Sequence, residues 1–227
     1  LGLGALAAGW RQQFDLPLIA VTGSNGKTTV TQMIASILRA AYGEEALSTA
    51  GNFNNDIGVP LTLLRMRASH RIAVLELGMN HPGEIAYLAD LVKPSVALVN
   101  NAQREHLEFM HTVEAVAQEN GSVISALASE GCAVYPAGDA FSGLWKTLAQ
   151  GRQVCAFGPH EAEVSLIQAD WVDAAWQVRV KTPQGNIDYR LHIAGRHNVG
   201  NSLAAAACAL SAGVSKDAVA KGLTDFE

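Results

Sequence analysis

The run Leu18-Ile-Ala-Val-Thr-Gly-Ser-Asn-Gly-Lys-Thr-Thr29 constrains this chain more than any other segment. Leu18 to Val21 are apolar and read as a buried strand, which Gly23 and Gly26 break. From Lys27 the apolar side chains recur at Val30, Met33, Ile34, Ile37, Leu38 and Ala41, one face of an amphipathic helix. Gly43 stands where a C′ glycine would end it. A strand turning through glycines into a helix N-terminus makes a cradle for phosphate. Its backbone N–H groups point inward, and the helix dipole favours negative charge. Lys27 can reach terminal phosphates, and Thr28 follows where a hydroxyl can coordinate Mg²⁺. In the general phosphate-loop pattern a glycine and four residues precede the Gly-Lys pair. That first glycine falls here on Val21, so the loop is a shorter variant. The plainer reading is a βα turn with an exposed lysine, since turns need glycine whatever they bind.

Composition narrows the class. The 227 residues are 49% hydrophobic and 16% charged, enough for one large α/β domain or a domain with a small appendage. Sixteen basic against 21 acidic residues give a net charge of −5 without a dense basic run, which argues against a nucleic-acid partner. Cys132, Cys155 and Cys208 are widely spaced in apolar segments. They read as core thiols in a reducing compartment, neither a disulfide framework nor a metal cluster. The opening Leu1–Trp10 is apolar but lacks a charged leader and reads as an amphipathic helix, extending to about residue 14. No stretch reaches membrane-spanning length, so no membrane partner is expected. The first residue is Leu, which points to a piece of a larger protein.

Beyond the loop, strand and helix patterns alternate. Strands are expected at Ala46–Thr49, Ile72–Leu77, Val96–Val99, Cys132–Tyr135 and Val154–Phe157. Helices are expected at Val59–Met66, Gly83–Leu91, Thr112–Ala128 and Phe141–Ala149. Such alternation predicts a mainly parallel sheet with helices on both faces, its ligand edge formed by the loops after the strands. From Gly158 the pattern changes. Val164–Val172, Trp176–Thr182 and Ile187–Ile193 read as a small antiparallel meander over residues 159–194, with a turn at Pro183-Gln-Gly-Asn186. An alanine-rich helix follows over Asn198–Ala212, and Ser215 caps a last one to about Leu223.

Glu76 ends an otherwise apolar strand, where a carboxylate is costly unless it is paired or metal-bound. The alternative is an acid capping the next helix or meeting a lysine. His106 lies in the loop after Val99, where a ligand-facing and an ordinary loop histidine are equally open readings. Asn52, Asn54 and Asn55 crowd a glycine-flanked loop. They suit tight turns, and amides on such loops also bind sugars and phosphates. His197, Asn198 and Asn201 open the alanine-rich helix, as caps or as contacts to a base or ribose.

Five ordered motifs now stand together: Thr22-Gly-Ser-Asn-Gly-Lys-Thr28, Gly51-Asn-Phe-Asn-Asn-Asp-Ile-Gly-Val-Pro60, Glu76-Leu-Gly78, His106-Leu-Glu108 and Gly195-Arg-His-Asn198. Over nearly the whole chain they resemble the central ATPase domain of the Mur ligases. The spacing and the asparagine-rich segment are most similar to the member that adds D-Ala-D-Ala to UDP-N-acetylmuramoyl-tripeptide in peptidoglycan synthesis. The resemblance implies a cytoplasmic, monomeric ATP-dependent ligase with a phosphate-loop NTPase-like fold. ATP would phosphorylate the tripeptide carboxylate, and the amine of D-Ala-D-Ala would attack the acyl phosphate. Gly23, Ser24, Asn25, Gly26, Lys27, Thr28 and Thr29 would bind the nucleotide phosphates, with His197 and Asn198 near the adenine. Thr28, Glu76 and His106 would hold Mg²⁺, and Lys27, Glu76 and His106 would be catalytic. Thr49, Asn54 and Asn55 would face the substrate or the transferring phosphate. Another Mur ligase, a folylpolyglutamate synthase-like enzyme, or a nucleotide-binding module without turnover are the alternatives.

The chain departs from the pattern in two ways. Many relatives carry a carbamylated lysine on the helix after the histidine motif, where Ala117-Gln-Glu-Asn-Gly121 offers only Glu119 and Asn120. The family also has three domains. Residues 1–227 match the middle one, and the flanking grips on UDP and the amino substrate are expected elsewhere.

Overall fold

The computed structural model describes residues 2–103, 110 and 112–227. After α1 (Gly2–Arg11), β1 (Leu18–Thr22) leads into α2 (Lys27–Tyr42). β2 (Ala46–Ser48), α3 (Gly58–Leu64), β3 (Ile72–Glu76), α4 (Glu84–Val92) and β4 (Val96–Val99) follow. The first sheet is completed by α5 (Val113–Ser125), β5 (Cys132–Val134), α6 (Ser142–Leu148) and β6 (Gln153–Val154). Its six strands are parallel in the order β2-β3-β1-β4-β5-β6. β1 is therefore flanked by β3 and β4, and the loops after all three open at one sheet edge.

Alternation along β1 shows why its run is apolar throughout. Ile19 and Val21 enter one core with Val30, Met33, Ile34 and Ile37 of α2. Leu18 and Ala20 enter the other with Val59, Leu88 and Val116 of α3, α4 and α5. Successive side chains point to opposite faces, and both faces are covered, so a polar residue has no place before the strand's end. Full burial of each large aliphatic side chain contributes about 1.5–3 kcal/mol.

The second sheet contains β7 (Phe157–Gly158), β8 (Val164–Val172), β9 (Ala175–Thr182) and β10 (Gly185–Leu191), in the order β10-β9-β8-β7. The expected antiparallel meander is present as β8, β9 and β10, and β7 adds to β8 in parallel, which makes the four-stranded sheet mixed. One expectation is corrected. The expected strand Val154–Phe157 is two strands in two sheets. At the crossing Cys155 and Phe157 N–H still donate to the Ala133 and Tyr135 carbonyls of the first sheet. Ala156, facing the other way, donates its N–H to the Glu163 carboxylate at 2.8 Å and accepts from Val164, so the segment serves both sheets. Other boundaries move by at most three residues.

α7 (Arg196–Ser211) lies between the two sheets, touching β4 and β5 on one and β7, β8 and β9 on the other. Residues Ala204 to Ala207 and Ala209 are all buried, because only small side chains fit a helix covered on several sides. α8 (Lys216–Thr224), capped by Ser215, closes against α2. Among the described residues, no helix is long and apolar enough to cross a membrane.

Candidate active site

The glycine turn after β1 is held by its own amides. The Gly23 N–H donates to Asn120 Oδ1 at 3.1 Å, Ser24 N–H to the Asn101 carbonyl at 3.1 Å, and Asn25 N–H to Asn101 Oδ1 at 2.9 Å. The Ser24 hydroxyl donates to the Gln103 carbonyl and accepts from its N–H, and Asn25 Nδ2 donates to Gln103 Oε1. These three amides shape the loop and are committed to it. Lys27, Thr28 and Thr29 form the first turn of α2, whose N–H groups lack carbonyl partners within the helix. Gly26 at the N-cap brings no side chain to cap them. The amides left available to an anion are those of the first turn of α2, with the helix dipole behind them.

Gly26 has φ +77°, and a Cβ there would lie 2.8 Å from Asn201 Oδ1 and 3.0 Å from Asn100 Nδ2. Those side chains form a chain of amides. Asn198 Oδ1 accepts from Asn201 Nδ2, Asn201 Oδ1 accepts from Asn100 Nδ2, and Asn100 Nδ2 also donates to the Asn25 carbonyl. Lys27 Nζ folds back to the carbonyls of Gly23 at 2.6 Å and Ser24 at 3.2 Å.

On the β3 side, Glu76 is 1% exposed. One carboxylate oxygen accepts from Asn54 Nδ2 at 2.8 Å, and Oε2 is buried with no hydrogen-bond partner. A buried carboxylate oxygen left unpaired is costly, and a hard cation with oxygen ligands would satisfy it. Among the described residues no three His, Cys, Asp or Glu side chains group to hold a metal. Thr28 is exposed on the first turn of α2, at the same sheet edge.

Two cavities flank the loop. One of about 260 Å³ is lined by Lys27, Asn54, Asn55, Gly78, Asn80 and Tyr87, among others. Asn54 also closes on Gly78, whose N–H donates to the Asn54 carbonyl. The second, about 410 Å³ and largely apolar, lies between Asn100, Pro136, Phe157, Arg196, Val199 and Leu203.

The other expected residues fall into distinct positions. Asn55 borders the Lys27 cavity, but its Oδ1 accepts from Ile57 and Gly58 N–H and caps α3. Thr49 is buried behind Glu76, and its hydroxyl oxygen accepts the Glu76 N–H at 3.0 Å. Asn198 is buried, anchored to the Ala194 carbonyl, whereas His197 is exposed. His106 lies outside the described residues. Glu119 is no spare metal ligand: both of its oxygens accept N–H groups, from Gly83 and Ile85. Sequence reasoning missed Asn100, Asn101 and Gln103, whose signal was a polar run directly after a buried strand.

With this geometry, one family model, described as the Mur ligase middle domain, matches residues 21–209. The chain belongs to the Mur ligase family. It is 40% identical over its whole length to UDP-N-acetylmuramoyl-tripeptide–D-alanyl-D-alanine ligase of Escherichia coli, covering 50% of that protein. The crystal structure of MurF from Acinetobacter baumannii superposes with a TM-score of 0.93 at 38% identity, over 99% of this chain and 49% of that one. MurF ligase from Thermotoga maritima in complex with ADP shares the fold, with a TM-score of 0.81 at 24% identity over 96% of this chain and 51% of that one. This Mur ligase chain therefore spans about half the length of the relatives it matches.

Proposed function

We propose that the chain is the nucleotide-binding core of an ATP-dependent ligase that joins D-Ala-D-Ala to UDP-N-acetylmuramoyl-tripeptide. The observation that carries this reading is the cavity with Lys27 on its wall and Asn54, Asn55 and Asn80 around it, opening from the phosphate-binding end of α2. A γ-phosphate on the helix amides lies beside that cavity, so a carboxylate held there can attack it in line. The substrate identity rests on the likeness to the Escherichia coli and Acinetobacter baumannii ligases named above.

In this reading a carboxylate oxygen of the tripeptide attacks the γ-phosphorus and ADP leaves. The amine of D-Ala-D-Ala then adds to the acyl carbon, loses a proton, and expels inorganic phosphate. Lys27 leaves the Gly23 and Ser24 carbonyls to meet the charge developing on the γ-phosphate oxygens. Asn54 orients Glu76, and Asn55 and Asn80 orient the acyl group. Glu76, Thr28 and His106 would hold Mg²⁺, which when bound neutralises phosphate charge. The apolar cavity beside Asn100 and Arg196 suits a purine face, with the amide chain from Asn198 fixing its floor. Carriers of UDP and D-Ala-D-Ala recognition belong to segments outside this chain, as the half-length match suggests. The free, buried thiols support a cytoplasmic location.

Phosphate release by the full reading frame, with ATP and a panel of UDP-linked precursors, tests the reading. Release only with the tripeptide and D-Ala-D-Ala together is expected. Release with a shorter muramoyl precursor or a folyl substrate, or nucleotide binding without turnover, would assign the chain elsewhere.

A further inference from the structure

Two neighbouring residues of α5 each hold a different wall of the site. Asn120 is 1% exposed, its Oδ1 accepts the Gly23 N–H, and its backbone carbonyl accepts the Thr22 hydroxyl at 3.2 Å. The end of β1 and the start of the phosphate loop are thus fastened to one turn of α5. Glu119, the preceding residue, is also buried and faces α4. Its Oε2 accepts the Gly83 N–H at 3.0 Å and its Oε1 accepts the Ile85 N–H at 2.9 Å. The segment it grips is the far wall of the Lys27 cavity, because Gly78, Met79, Asn80, Glu84, Tyr87 and Leu88 line it. Glu84 in turn folds back onto the Asn80 and His81 N–H groups, which ties the loop to the helix.

We propose that Glu119 and Asn120 are positioning residues that fix the distance between the phosphate loop and the wall of the acyl-substrate cavity. This rests on the reading of that cavity given above. The geometry gives the pair separate tasks. Loss of the Asn120 acceptor leaves the Gly23 N–H buried and unpaired, and the loop relaxes under the nucleotide. Loss of one Glu119 acceptor frees half the grip on α4, and the acyl group is held less well while the phosphate loop stays put. Near-attack geometry depends on both, since small misplacements are costly in rate. A residue pair serving only to stabilise the fold would lower the melting temperature without separating the two substrates.

The test uses the full reading frame carrying Glu119→Gln, Asn120→Leu or the milder Asn120→Ser. Steady-state kinetics should divide them. The Asn120 variants raise KM for ATP and lower kcat by roughly tenfold, with KM for UDP-N-acetylmuramoyl-tripeptide within about twofold. Glu119→Gln does the reverse, raising KM for the muramoyl substrate and leaving that for ATP. Amide hydrogen exchange gives a second arm that needs no turnover. Asn120→Ser should speed exchange over residues 19–26 alone, and Glu119→Gln over residues 79–88 alone. Equal effects on both substrates, or exchange that rises uniformly along the chain, would overturn the proposal. A wild-type protein with no turnover would sink the functional reading instead, and the exchange pattern would still decide this one.

Discussion

Asn54 donates its side-chain amide to Glu76 at 2.8 Å and leaves the second carboxylate oxygen buried without a partner. The pair joins the asparagine loop to the end of β3, one strand away from the phosphate loop. Thr49 completes the arrangement from behind by accepting the Glu76 N–H. The acid is anchored through one oxygen, and the other has no hydrogen-bond partner within the fold.

Glu76→Gln removes the charge while keeping the size. In the absence of Mg²⁺ the variant should melt no lower than the wild type, because it relieves an unpaired buried carboxylate. The rise in melting temperature that Mg²⁺-ATP gives the wild type should disappear. Calorimetric scans with and without Mg²⁺-ATP check both points. A variant that still gains the full shift would remove Glu76 from the metal site.

Lys27→Ala separates the two nucleotides. Because Lys27 can leave the Gly23 and Ser24 carbonyls for the γ-phosphate, ATP should lose roughly tenfold to a hundredfold in affinity and ADP much less. Titration calorimetry on the full reading frame measures the ratio. Equal losses for ATP and ADP would put the ammonium away from the γ-phosphate.

Much of this architecture is legible in sequence for a simple physical reason. β1, β3 and β4 are buried on both faces, so their apolar runs are continuous and end where the ligand edge begins, at Thr22, Glu76 and Asn100. The β6–β7 crossing was not legible, since an apolar run reads alike whichever sheet receives each half. Nor was the amide chain through Asn100, Asn201 and Asn198, because Asn100 lies 101 residues from Asn201 and asparagine also suits turns and caps. Glu119 illustrates the same limit. A charged residue on a helix is ordinarily solvated, and only the packing of α5 on α4 reveals a buried cap.

Gly26→Ala tests the cradle itself. The φ of +77° and the approach of Asn201 to 2.8 Å leave no room for a Cβ, so the first turn of α2 must shift. The substitution should destabilise by about 1–3 kcal/mol and abolish measurable nucleotide binding. Denaturant titration and ligand binding read the two effects, and retention of wild-type binding would show that the turn is not the anion site.

The three thiols should be inert in the native protein. Burial pushes Cys132 and Cys208 up, and takes Cys155 to about 11, so little thiolate exists at neutral pH. A chromogenic disulfide reagent should react slowly at pH 7.5 and fast in denaturant. Rapid native modification of any of them would mean that the core beneath α7 opens readily.

If this site moves the γ-phosphoryl group of ATP onto a carboxylate, one carboxylate oxygen must leave with the phosphate. UDP-N-acetylmuramoyl-tripeptide carrying heavy oxygen in its terminal carboxylate, turned over by the full reading frame with ATP and D-Ala-D-Ala, tests it directly. Mass spectrometry of the released phosphate should find one heavy oxygen per molecule, passed through the acyl phosphate. Phosphate without label, alongside normal amide formation, would contradict the account.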